Sequence, residues 1–297
     1  MVKEKNGFAF RMDEHPMLAG ALVVILYILF RRISHYIFTS MLPQTGLTEA
    51  MHEIVDVIWP FLMVVAFNRT DVYKKGRGRF FITVVKGLAL IFLAVFYYAT
   101  TVPMLLADDT VEWQTPLMML AAALTMFFVG FREESCFRGI VVNVIGDRYI
   151  KDRKGIMITT FVSAALFGVM HMQNLFVGQS FAATLFQTVN AACMGCFLTA
   201  VYLRGGNLWA MMVMHGFYDM SLMVKNLLTK TSDAGALAYL ASRNDTEVDA
   251  TEVALKATIC IVFILLALFL LRKSKCDGII ERFGDSVISE RKTDGKR

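Results

Sequence analysis

Apolar residues along this chain of 297 residues run in long blocks, and the charged residues gather between them. The blocks centre on 17–38, 50–67, 80–106, 115–135, 156–177, 181–203, 207–229 and 253–271, each close to or beyond the roughly 20 residues that a bilayer-crossing helix needs. The bilayer interior offers no water to unpaired backbone groups, and runs this long and continuous are not barrel strands. The pattern predicts an all-α polytopic membrane protein of about eight transmembrane helices. It also predicts one integral-membrane domain over 1–297, because little chain is left for a soluble one.

Charge between the blocks sets the expected orientation, since cytoplasmic loops carry an excess of Lys and Arg. Arg69, Lys74, Lys75, Arg77 and Arg79 put the second loop inside. By alternation Arg148, Lys151, Arg153, Lys154, Arg204 and the tail Arg272-Lys273-Ser274-Lys275 fall inside, whereas Asp108, Asp109, Glu112, Asp245, Glu247, Asp249 and Glu252 fall outside. Both termini are then cytoplasmic, in a multi-pass protein of the cell membrane. The net charge of +5 reads as anchoring to the inner face of the lipid bilayer, and no basic face interleaved with aromatics points to nucleic acid. Arg31-Arg32 fits poorly, because it interrupts the first block after Met17 to Phe30 and predicts a short, tilted or interfacial helix there. Lys3 and Lys5 precede that block without a small-residue cleavage site behind it, so it reads as a retained helix. Cys193-Met194-Gly195-Cys196 has redox spacing but lies in an apolar stretch and reads as packing.

Ionisable groups inside a spanning helix cost roughly 2.5–3.5 kcal/mol each on insertion scales and mark candidate function. Three clusters qualify. In Glu133-Glu134-Ser135-Cys136-Phe137-Arg138, Glu134 and Arg138 are one turn apart and can pair, while Glu133, rotated by about 100°, has no such partner. The second cluster is Phe167-Gly168-Val169-Met170-His171, followed by Met172, Gln173 and Asn174. The third runs from Asn207 to Asp219 and sets His215 and Asp219 on one helix face. The basic turn near Asp152 lies 19 residues after Glu133 and 19 before His171, and equal arms of a helix hairpin reach equal height. His215 rises roughly 15 Å above the Arg204-Gly205-Gly206 turn, so the clusters are expected to line one pocket open to the cytoplasm. Each charge or histidine alone has a blander reading, as a helix-end cap or a hydrogen-bonded core residue, and Lys86 and Asp56 read as snorkelling near span ends. At compatible depth the three clusters favour function.

A carboxylate beside a histidine in a low-dielectric pocket can hold and deprotonate water, and a second histidine can stabilise an oxyanion. One Glu, two His and one Asp also make a plausible four-ligand zinc set, so Glu133, His171, His215 and Asp219 are candidates for zinc, for another divalent metal, or for metal-free catalysis. Ser135 and Ser163 lack a nucleophile motif.

Glu-Glu-x-x-x-Arg at 133–138, Phe-x-x-x-His at 167–171 and His-x-x-x-Asp at 215–219 resemble, in order and on separate spans, the three motifs of the CAAX protease and bacteriocin-processing (CPBP) family. The resemblance covers about 115–225, the expected catalytic core, and extends to Gly206-Asn207-Leu208-Trp209. It implies an intramembrane endopeptidase similar to the type II CAAX prenyl proteases, acting near the cytoplasmic side on prenylated-type or bacteriocin-type peptides. Glu133 would be the general base and His171 would help hold the water. Glu134, Arg138 and Phe167 would support the site, with His215 and residue 219 binding the carbonyl oxyanion. Asp219 stands where the prenyl-protein proteases have asparagine, and an ionised carboxylate cannot donate to an oxyanion; it must be protonated, orient His215 or bind metal. The rival reading is a non-catalytic immunity or scaffold protein of this fold that binds a peptide or protein partner. Transport ranks third, for want of broken paired helices or an inverted repeat.

Overall fold

The computed structural model describes residues 7–43, 46–230 and 250–283, and 231–249 of the outer loop expected at 231–252 lies outside the described residues. α1 (Gly7–Glu14) leads into α2 (Pro16–Met41), then α3 (Gly46–Asp56) and α4 (Ile58–Ala66). Two 3-10 turns, Thr70–Tyr73 and Arg77–Arg79, precede α5 (Phe80–Lys86) and α6 (Leu88–Leu106). α7 (Pro116–Glu134) continues through a π-helical segment, Ser135–Val141, into α8 (Val142–Tyr149). α9 (Arg153–Met170) closes in a 3-10 segment, His171–Val177, and α10 (Phe181–Gly205), α11 (Leu208–Leu222), α12 (Val224–Leu228) and α13 (Ala250–Leu270) follow. The chain is an all-α polytopic membrane protein; the one β-type pairing among the described residues is an isolated bridge between Trp113 and Thr229.

Among the described residues six helical stretches are long and apolar enough to cross a bilayer: Pro16–Met41, Leu88–Leu106, Pro116–Tyr149, Arg153–Val177, Phe181–Gly205 and Val253–Leu270. The other two of the eight expected blocks are divided. Block 50–67 breaks at Val57 between α3 and α4, since Pro60 has no N–H to give the Asp56 carbonyl. Block 207–229 breaks at Met223. Broken helices are thus present after all, and the 80–106 block is itself interrupted at Gly87, where a Cβ would meet the Met214 sulfur at 2.5 Å. Conversely, α2 is not shortened at Arg31-Arg32. It runs unbroken past them, because Arg31 turns inward onto Glu53 and Asp56 of α3.

All the basic turns meet at one end of the bundle. Arg69 pairs with Asp147 at the end of α8 and with Asp13 of α1 (2.5 Å); burial pulls its pKa down, but the two carboxylates outweigh burial and hold it above its ordinary value. Asn207 caps α11 through Ala210 N (2.8 Å) and donates to the Gly76 carbonyl (2.8 Å), while Arg79 donates to the carbonyls of Gly205 (2.6 Å) and Arg204 (3.1 Å). Gly76 and Gly206 both take positive φ, 66° and 87°, and a Cβ on Gly76 would fall 2.1 Å from the Gly206 oxygen, so this clamp needs glycine. Arg204 reaches the Lys275 carbonyl (3.0 Å), and Arg282 the Leu203 carbonyl. At the other end, Glu112 pairs with Lys230 (3.3 Å) and Gln114 N with the Leu228 carbonyl (2.8 Å).

Helix crossings near the middle depend on small residues, as close packing in a bilayer requires. A Cβ on Gly130 would lie 2.8 Å from the Gly216 nitrogen, and one on Gly216 2.9 Å from the Phe127 Cα, so α7 and α11 touch along their backbones. That contact sets His215 beside Glu133 and Glu134. Between this level and the basic end the bundle is filled: all of Ser135–Val141 is buried, and Phe137, Ile140, Phe197, Leu198, Leu203 and Leu208 are at most 1% exposed.

Candidate active site

Glu134 and Arg138 pair as the spacing predicts, Arg138 Nη1 to Glu134 Oε1 at 3.0 Å, and neither side chain has any exposure. The same Glu134 oxygen accepts from His215 Nδ1 at 2.7 Å. A carboxylate bound this way fixes the proton on Nδ1 and leaves Nε2 as the working nitrogen. His215 Nε2 lies 3.5 Å from Asp219 Oδ2 and 3.7 Å from Glu133 Oε2. Phe167 is the floor: its ring meets those of His171 (5.2 Å), His215 (5.9 Å) and Phe137 (5.0 Å), with the Arg138 guanidinium 4.7 Å above it. His171 ends α9, and its Nδ1 faces the Phe167 carbonyl at 3.0 Å, an acceptor only, so Nδ1 carries the proton and Nε2 offers a lone pair.

Glu133 is held more loosely. Its one side-chain hydrogen bond among the described residues comes from Tyr27, at 3.4 Å, and Tyr27 in turn accepts from Arg132 Nε at 2.8 Å. Behind Tyr27 stands a buried network that the sequence reading missed. Arg132 pairs with Glu53 and lies 3.6 Å from Asp56, while Arg31 pairs with Glu53 and, at 2.5 Å, with Asp56. Asp56, 1% exposed, is therefore an interior ion-pair member and not a snorkelling residue near a span end. A serine relay does not form here: His52 Nε2 is 3.0 Å from Ser34 Oγ and 3.5 Å from Asp56 Oδ1, so both partners share one ring nitrogen.

Glu133, His171, His215 and Asp219 all line one cavity of about 370 Å³. Its lining comes from Thr125–Glu133 of α7, Met170–Val177, Gln187–Met194 of α10, His215–Met223, Ile259–Phe263 of α13, and α2 from Tyr27 to His35. On each of these elements the lining lies on the side of the site away from the basic turns. The expected opening toward the basic end is thus corrected. Counting residues from those turns gives depth but not which side is plugged, and the packed π-helical segment plugs the basic side. α10 packs on α9 and α13 while α11 packs on α7 and α6, so α10 and α11 diverge from the Gly206 turn and flank the cavity.

Residues 114–221 match the family model described as type II CAAX prenyl endopeptidase Rce1-like, close to the core expected at 115–225. Over this segment the chain is similar to the CAAX proteases. No curated protein and no solved structure matches the chain. The CAAX-type segment supplies Glu133, Glu134, Arg138, Phe167, His171, His215 and Asp219, whereas Tyr27, Arg31 and Glu53 come from helices outside it.

The four-ligand zinc set does not assemble. Zinc needs donors converging at about 2.0–2.2 Å on one point, yet among the described residues no group of three or more His, Cys, Asp or Glu could hold a metal ion. The four side chains instead surround a space large enough for part of a peptide. The residues do not fit a resident metal, and the chemistry below uses none.

Proposed function

We propose that the protein is an intramembrane endopeptidase in which Glu133 activates a water molecule. The observation that carries this reading is the contrast between adjacent glutamates: Glu134, behind the cavity wall, holds both Arg138 and His215 on Oε1, while Glu133 lines the cavity with only a long hydrogen bond from Tyr27. Water held by the Glu133 carboxylate and the His171 Nε2 lone pair attacks the peptide carbonyl as Glu133 takes its proton. Doubly protonated His215, anchored through Nδ1 by Glu134, donates from Nε2 to the oxyanion, and Asp219 and Glu133 balance its charge. Glu133 then gives the proton to the departing amine. In this reading Asp219 acts through His215 and not as an oxyanion donor.

The cavity has two kinds of wall, which supports a lipid-bearing peptide as substrate. Met194, Leu222, Met223, Ile259 and Phe263 make an apolar side beside the α10–α11 divergence, and Arg31, Arg32, Gln173 and Asn174 a polar one. Prenylated-type and bacteriocin-type peptides both pair an apolar body with a polar end. In nanodiscs, the purified protein is expected to cleave a peptide with a farnesylated cysteine at least about tenfold more efficiently than the unmodified peptide, through KM. Cleavage of neither peptide would favour a non-catalytic binding protein.

Loop charge supports a cytoplasmic basic end, so that the cavity faces the outer leaflet. In a cysteine-free background, probes at Asp109 and Leu222 should be labelled in intact cells, and a probe at Lys74 only after permeabilisation. Labelling of Lys74 but not Asp109 in intact cells would invert this orientation and bring the cavity to the cytoplasm.

A further inference from the structure

Basic side chains at the clamped end of the bundle fall into two groups. Arg69 has Asp13 and Asp147, and Lys75 has Asp71 at 2.6 Å. Arg79, Arg204 and Arg282 have no carboxylate partner among the described residues, although all three are half-buried and stand together. A Cβ on Gly206 would meet Arg282 Nη1 at 2.7 Å and Arg79 Nε at 3.7 Å, and Arg204, two positions earlier, feels the Arg79 charge. Burial first, then the Arg79 charge, pulls the Arg282 pKa down to about 10. Each guanidinium is fixed by backbone carbonyls: Arg79 by those of Gly205 and Arg204, Arg204 by that of Lys275, and Arg282 by those of Gly278 (3.1 Å) and Leu203. Arg79 Nη1, Arg204 Nη2 and Arg282 Nη1 are left without a hydrogen-bond partner among the described residues, and none of these three nitrogens is buried. The C-terminal dipole of α10 supplies only about half a negative charge, far short of three guanidinium charges.

We propose that Arg79, Arg204 and Arg282 form a cradle for the phosphate of an anionic phospholipid headgroup. Guanidinium forks suit the paired oxygens of a phosphate, and basic pockets between helix ends are suited to anionic headgroups. The cradle lies where helices end: Arg79 directly precedes α5, Arg204 is in the last turn of α10, and Arg282 is on the helical segment 277–283 that follows α13. Lipid-facing surface begins beside it, with Phe81 80% and Phe269 60% exposed, and this gives acyl chains an apolar flank that a free phosphate would not use. A phosphate here offsets the repulsion among the arginines and ties α5, α10 and 277–283 together at Gly206, the turn from which α10 and α11 diverge around the cavity. None of the three arginines lines that cavity, so the inference stands apart from the endopeptidase reading.

The test needs no turnover. The full chain in detergent is titrated with phosphatidylglycerol or with phosphatidylcholine, and bound lipid is counted by native mass spectrometry. The wild type should hold one phosphatidylglycerol per chain at least about tenfold more tightly than phosphatidylcholine. In the double variant Arg79→Gln with Arg282→Gln, whose amides can still donate to the α10 carbonyls, the preference should fall to within about twofold. Lys74→Gln with Arg77→Gln removes the same charge from the same end but outside the cradle, and should keep the preference. Melting curves establish that each variant is folded, and if the cradle variant does not fold, Arg204→Gln alone decides, with an expected loss of at least about threefold. Equal binding of the two lipids by the wild type, an unchanged preference in the cradle variant, or an equal loss in the Lys74 and Arg77 control overturns the proposal. Inorganic phosphate raising the melting midpoint as much as phosphatidylglycerol would assign the cradle to a free anion and overturn the lipid assignment.

Discussion

Glu133→Gln is expected to reduce peptide cleavage by roughly a hundred- to ten-thousand-fold, the range for removing a general base, with little change in thermal midpoint. Glutamine keeps the size of the side chain and can still accept from Tyr27, the hydrogen bond Glu133 makes at 3.4 Å. What it loses is the ability to take a proton from water. His215 keeps its closer anchor on Glu134 at 2.7 Å, so the site should hold its shape. Cleavage rates measured beside melting curves in detergent check this, and full activity in the variant would reassign the base.

Glu134→Gln should behave differently. Its Oε1 receives both Arg138 and His215, and all three side chains are at most 1% exposed. Removing the carboxylate strands a buried guanidinium, a loss on the order of 3–5 kcal/mol for a broken buried pair. The melting midpoint is expected to fall well below that of Glu133→Gln. Adding Arg138→Met removes the stranded charge and should restore much of the stability but not activity, because a neutral amide at 134 can still accept from His215 Nδ1 but no longer supports a positive charge on the ring. A melting curve for Glu134→Gln like that of the wild type would show that the pair is not structural.

The contrast between the two glutamates was legible in sequence because it rests on local geometry: Glu134 and Arg138 are one turn apart, and their pairing holds even though the π-helical segment begins between them. His215 and Asp219 were legible for the same reason. The wall made by Tyr27, Arg31, Glu53, Asp56 and Arg132 was not, since it joins α2, α3 and α7 across up to 105 positions, and helical periodicity says nothing about such pairs. Arg31-Arg32 did leave a signal, as charges where a lipid-facing helix should have none, but it read as a flaw in the span. Pro60 likewise signalled the break at Val57 inside a block that hydropathy alone ran together. The direction of the cavity had no local signature, because it depends on Phe137, Ile140 and their neighbours filling the basic side of the bundle.

The central claim is that water activated by Glu133 attacks the peptide bond directly. Mass spectrometry of a farnesylated peptide cut by the purified protein in oxygen-18 water containing hydroxylamine tests it most directly. The account predicts a new carboxyl end carrying one oxygen-18 and no hydroxamate, with no product from Glu133→Gln; a peptide hydroxamate would reveal an acyl-enzyme and contradict it.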